Sequence, residues 1–151
     1  MFIIGIEIAK IHNQIMRELE YEITTHVDKN MSATTARIIC FVIEENKKRT
    51  VIGRDIEDFL NLKRSSVSLI LSTMEKNQFI TRNTVPYNAK IKHILPTSKA
   101  FSYYEQIIKC FNRVELKMKN NIQNIDQLQD LLDAITENLN TKEENPWKII
   151  K

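Results

Sequence analysis

Arg64-Ser-Ser-Val-Ser-Leu-Ile-Leu-Ser-Thr-Met-Glu-Lys76 is the stretch on which the fold turns. Its apolar residues Val67, Ile70, Leu71 and Met74 recur at i, i+3, i+4 and i+7, which makes one core-facing stripe of an amphipathic helix. Ser65, Leu69, Ser72 and Lys76 follow a second helical row, with Arg64 and Ser68 beside it, so the exposed side offers small hydroxyls and positive charge. Such a face can lie close to a nucleic acid. Hydroxyls and guanidinium groups suit base edges and phosphates, and short side chains let a helix backbone sink into a major groove roughly 12 Å wide. The alternative is an ordinary solvated helix face, on which serines lower helix propensity without return.

On the amino-terminal side, residues 55–60 read as a short helix with Ile56, Phe59 and Leu60 inward, and Asn61, Leu62 and Lys63 form the turn that follows. On the other side, residues 79–84 and 90–95 are β-compatible runs separated by Val85, Pro86, Tyr87, Asn88 and Ala89, a hairpin with a turn-forming tip. A short β segment near residues 50–52 can precede Gly53. Helix, turn, helix and hairpin in that order are the sequence shape of a winged helix-turn-helix.

Charge is sorted along the chain. Residues 47–99 carry Lys47, Lys48, Arg49, Arg54, Lys63, Arg64, Lys76, Arg82, Lys90, Lys92 and Lys99 against Asp55, Glu57, Asp58 and Glu75. That centre is about +7 where the whole chain is +3, so the flanks together are about −4. A basic centre between acidic flanks is the footprint of a module that binds a polyanion while its other surfaces avoid it.

A helical frame surrounds this centre. Ile4, Ile8, Ile11, Ile15, Leu19 and Ile23 sit three or four residues apart and predict one long amphipathic helix over the first two dozen residues. Ser32 is the expected N-cap of a helix over 33–46, with Ile38, Ile39, Phe41, Val42 and Ile43 buried. Near the other end, Phe101, Tyr104, Ile107, Ile108, Phe111, Val114 and Met118 mark one helix, and Ile122, Ile125, Leu128, Leu131, Leu132, Ile135 and Leu139 mark another. Terminal helices of this length usually bury each other, which predicts a homodimer whose first and last helices intertwine through Ile4, Ile8, Ile11, Ile15, Leu128, Leu132 and Ile135. A monomeric bundle is the alternative. The expected organisation is a dimerisation helix over 1–30, a winged helix-turn-helix lobe over 31–99, and carboxyl-terminal dimerisation helices with a tail over 100–151, in one intertwined domain. Trp147 in that tail is expected to dock on the dimer surface.

The chain's 151 residues and 42% hydrophobic content suffice for one compact core. With 2 Gly and 3 Pro, the prolines all outside the strong helical patterns, the fold class is mostly α with a small β-wing. No apolar run approaches the roughly 20 residues needed to cross a bilayer, and the apolar start contains Glu7 without a basic n-region, which points to a cytoplasmic protein. Cys40 and Cys110 lie in apolar helical stretches without metal-ligand spacing and read as small core residues. His12, His26 and His93 are dispersed, with His12 along the first helix and His93 on a wing strand. No nucleophile–base order, Gly-rich phosphate loop or metal spacing appears, so neither an enzyme, nor a metal site, nor a cofactor is expected.

The run at 55–82, Asp-Ile-Glu-Asp-Phe-Leu-Asn-Leu-Lys-Arg-Ser-Ser-Val-Ser-Leu-Ile-Leu-Ser-Thr-Met-Glu-Lys-Asn-Gln-Phe-Ile-Thr-Arg, followed by Asn-Ala-Lys-Ile-Lys-His-Ile-Leu-Pro-Thr at 88–97, resembles the MarR family of bacterial transcriptional regulators. The resemblance covers the centre by sequence and the flanks by helix pattern. It implies a homodimer whose recognition helices enter adjacent major grooves, whose wings reach the minor groove, and which small phenolic ligands or cysteine oxidation often release. It places Lys63, Arg64, Ser65, Ser66 and Ser68 at the start of the recognition helix and Lys90 on the wing. Two departures stand out. Asn88 and Lys90 replace the family's frequent Asp-x-Arg pair, so a point charge stands where a bidentate fork is usual. Gln78 stands where Gly usually follows the recognition helix, and Asn77 is expected to take the left-handed conformation instead. The family's peroxide sensors use a cysteine near the amino terminus, which this chain lacks, so thiol sensing is disfavoured.

These readings converge on a sequence-specific, double-stranded DNA-binding regulator, a homodimeric repressor of a near-palindromic operator with half-sites about one helical turn apart, roughly 34 to 36 Å. Arg64 is the candidate guanine reader, with a phosphate contact the alternative. Ser65, Ser66, Ser68 and Ser72 supply short base or phosphate bonds, Asn88 joins them from the wing, and Arg54, Arg82, Lys90 and Lys92 hold phosphates. A small-molecule effector that prefers a misaligned dimer would lower DNA affinity by linkage. Two alternatives remain at this point: a winged-helix module that binds an acidic protein, and a DNA-binding factor without an effector.

Overall fold

The computed structural model describes residues 1–141; Trp147 and the tail around it lie outside the described residues. In chain order the elements are α1 (Ile3–His26), α2 (Ala33–Asn46), α3 (Gly53–Leu60), α4 (Arg64–Lys76), β1 (Ile80–Val85), β2 (Asn88–Pro96), α5 (Ser98–Lys119) and α6 (Ile125–Asn140). They pack as two units, Met1–Glu115 and a second from Leu116 onward, so the boundary falls inside α5.

The first unit is built on α2. Ser32 caps that helix by accepting the Thr35 N–H at 3.0 Å, and the Glu20 carboxylate of α1 accepts the Ala33 N–H at 2.6 Å. Ile38, Ile39, Val42 and Ile43 then turn into a core shared with Ile23, Ile56, Val67, Leu71, Met74, Ile80, Ile94 and Ile107. No polar or charged side chain is buried among the described residues. Phe59, expected inward, is 38% exposed and stacks on Phe41 with ring centroids 4.3 Å apart.

Backbone turns set the angle between helices. Asn61 ends α3 in the left-handed region at φ 51°, the Leu62 N–H closing back on the Glu57 carbonyl at 3.1 Å. After α4 the chain corrects the sequence expectation: Gln78, not Asn77, is left-handed, at φ 64° against −82°. The helix stays right-handed one residue longer, and the Phe79 N–H reaches the Met74 carbonyl at 2.9 Å while Gln78 N–H reaches Glu75 at 3.0 Å. This doubly bonded end brings Phe79 into the same core cluster as Met74, and that burial favours the later turn.

The wing is one antiparallel pair. Its ladder runs from Ile80↔Pro96 to Thr84↔Lys92, then slips to Val85↔Asn88, leaving Pro86 and Tyr87 at the tip. The strands therefore extend beyond the expected 79–84 and 90–95 at the tip. The segment before Gly53 forms no strand; its bond to the wing is Ile94 N–H to the Val51 carbonyl at 2.8 Å. Thr97 opens α5, accepting the Ala100 N–H at 3.3 Å and donating to the Gln78 carbonyl at 2.6 Å.

Candidate nucleic-acid interface

The exposed side of α4 begins at its amino terminus. Lys63 is the N-cap residue in extended conformation, its side chain makes no capping bond, and the first turn holds no acidic residue. The first amides thus lack a side-chain acceptor, and Arg64, Ser65 and Ser66 surround them in exposed positions. Free amides, the helix dipole and two cations together favour an anion there. Ser68 and Ser72 continue the exposed side while Val67, Leu71 and Met74 are buried behind it.

Between α3, α4 and the wing runs a groove of about 670 Å³. Its lining joins apolar Ile52, Val67, Leu71, Ile91 and Ile94 to five cations, Arg54, Arg64, Arg82, Lys90 and Lys92, against the single carboxylate of Glu57. Of the residues expected at the site, Arg54, Arg64, Ser68, Arg82, Lys90 and Lys92 meet in this groove. Lys63, Ser65, Ser66 and Ser72 lie along the same helix outside its lining, and Asn88 lies at the wing tip, where its Oδ1 accepts the Lys90 N–H at 2.9 Å.

Arg82 differs from the other four cations. Its Nη2 donates to Glu75 Oε1 at 2.9 Å and to Ser72 Oγ at 3.4 Å, and Glu75 Oε2 accepts the Arg82 backbone N–H at 3.1 Å. The Arg82 hydrogen bond holds the Glu75 carboxyl below its ordinary range. Arg82 Nε is buried and has no acceptor among the described residues. The guanidinium expected to hold a phosphate is thus engaged in fastening β1 to the end of α4. Sequence reasoning missed Glu75 because a seven-residue separation across a helix end and a strand has no periodic signature.

A second fastening joins the wing to α2. Asn46 Nδ2 donates to the carbonyls of Val42 at 2.8 Å and Ile94 at 3.0 Å, which orients the amide. Its Oδ1 is then the acceptor of the 2.7 Å bond with His93, whose Nε2 carries the proton. The other ionisable groups look structural. Burial, reinforced by Glu44, pushes the Cys40 thiol up to about 12, and burial raises Cys110 as well, so both sulfurs are held as unreactive thiols. The Glu44 carboxylate accepts the Tyr104 hydroxyl, which pushes that phenol up to about 12 and ties α5 to α2. No group of three or more potential metal ligands occurs among the described residues, and none of their helices is long and apolar enough to cross a membrane.

No family model matches the sequence, and no curated protein matches it. Solved structures do share its fold. The transcription regulator MarR from Oenococcus oeni PSU-1 is 19% identical, with a TM-score of 0.76 over 91% of this chain and 99% of that one. The transcriptional regulator SlyA is 21% identical, with a TM-score of 0.79 over 91% and 94%. MepR from S. aureus, solved as a DNA complex, is 14% identical, with a TM-score of 0.78 over 89% and 96%. At these identities the likeness is one of fold: the winged helix and its flanking helices are common to all four chains.

Proposed function

We propose that this chain is a MarR-type transcription regulator that binds double-stranded DNA as a homodimer. The observation that carries the reading is the groove between α4 and the wing, where four cations that enter no salt bridge among the described residues, Arg54, Arg64, Lys90 and Lys92, converge beside a helix side rich in serines. In this reading α4 enters the major groove, Arg64 reads a guanine edge, and Ser65, Ser66 and Ser68 make short contacts. Arg54, Lys63, Lys90 and Lys92 hold phosphates and set register, while Arg82 keeps the wing in place and Ser72 assists it. The exposed apolar faces of α1, with Ile4, Ile8 and Ile11, and of α6, with Leu128 and Leu132, support self-association. Two copies related by a two-fold axis would meet half-sites roughly 34 to 36 Å apart. Repression, and release by an effector that prefers a misaligned dimer, complete the reading.

Selection of binding sites from random duplexes at roughly physiological salt tests it, because salt suppresses charge-only binding. The expected product is a two-fold symmetric motif. Arg64→Ala should then cost roughly 1 to 3 kcal/mol and relax preference at one position of each half-site. A folded dimer that enriches no motif would instead be an interaction module for an acidic protein.

A further inference from the structure

On α4, Leu69 is the large apolar side chain left exposed, at 71%, while Val67, Leu71 and Met74 are buried. It sits one turn beyond Ser65 and one turn before Ser72, with Ser68 beside it, on the side of the helix that carries the serines. A lone exposed leucine is common on protein surfaces, and by itself signals nothing. Its surroundings make this one informative: short hydroxyl side chains on the same face leave it as the farthest-reaching group in the middle of the helix.

In a major groove, only one base of the standard four presents an apolar group on its edge, the 5-methyl of thymine. We infer that Leu69 reads a thymine methyl and is a specificity-determining residue, fixing an A·T pair within each half-site. The inference rests on the DNA-binding reading above. Serines at 65, 68 and 72 let the helix approach closely enough for an isobutyl group to touch the methyl, and hydrogen bonds from Arg64 and the serines cannot substitute for that contact because a methyl accepts none.

The test uses the full chain and the duplex recovered by selection, with each thymine of the half-sites replaced in turn by deoxyuridine. This removes the methyl and keeps every hydrogen-bonding group. At one thymine per half-site the replacement should weaken wild-type binding roughly fourfold, the value of one buried carbon group. The same replacement should leave Leu69→Ala unchanged, and Leu69→Met should retain most of the methyl preference. Both variants alter an exposed side chain, and their melting temperatures check that the fold persists. If wild type binds its symmetric motif but tolerates deoxyuridine at every thymine, or if Leu69→Ala loses as much as wild type, the assignment of Leu69 is overturned and the DNA-binding reading stands. If no duplex is bound selectively, both are overturned.

Discussion

Gln78 stands at φ 64°, a left-handed position that a residue with a Cβ occupies at a cost of about 1 kcal/mol. Replacing it with glycine removes that cost and returns part of it as unfolded-chain entropy, so Gln78→Gly should raise stability by about 0.5 kcal/mol. Urea unfolding with an unchanged m-value would measure this, and Asn61→Gly, at φ 51°, should gain less because asparagine tolerates the region. That the chain reverses near 77–78 was readable from the end of the apolar stripe at Met74. Which residue carries the positive φ was not, because it depends on Phe79 reaching Met74 and on Thr97 donating to the Gln78 carbonyl, contacts made across the fold. Arg82 shows the same limit: its charge is visible in sequence, and its engagement with Glu75 is visible only in space.

Among the elements, side-chain hydrogen bonds between described residues fasten the wing to α2 and α4 at two points, Glu75 with Arg82 and Asn46 with His93 and Ile94. Asn46 satisfies three partners at once; Asn46→Ala leaves the Val42 carbonyl its helical bond but strands the Ile94 carbonyl and a ring N–H, at a cost of about 1–3 kcal/mol. Native-state hydrogen exchange should show the β2 amides near Ile94 opening at least tenfold more readily, with the amides of α4 little changed. A uniform acceleration would mean that the contact serves the whole fold instead of the wing. Helices α2 and α4 were legible to the residue, since Ser32 caps the one and an unbroken apolar stripe spans the other. The wing's ends were not, because Asn88 reads as a turn residue and yet pairs with Val85 after the ladder slips.

At the scale of the molecule, α1 and α6 each carry large apolar side chains in exposed positions. Ile4 is 69% exposed on α1 and Leu131 57% exposed on α6, and the periodicity that announced both helices says nothing of what covers them. If the proposed homodimer forms through these faces, Ile8→Glu combined with Leu132→Glu should shift it to monomer in sedimentation velocity at micromolar concentration, since a charge in an apolar interface is costly. Wild type sedimenting as a monomer would defeat the homodimer. Charge sorting was legible at this scale from composition: the basic centre of the sequence becomes, in space, a groove with five cations and one carboxylate.

The break in the wing ladder between Thr84 and Val85 also bears on how such a protein diverges. Residues gained or lost at the tip leave the pairing from Ile80↔Pro96 to Thr84↔Lys92 in register, and with it the anchors Ile80 and Ile94 in the core. Wing length can therefore change without disturbing the packing of the helical frame behind it.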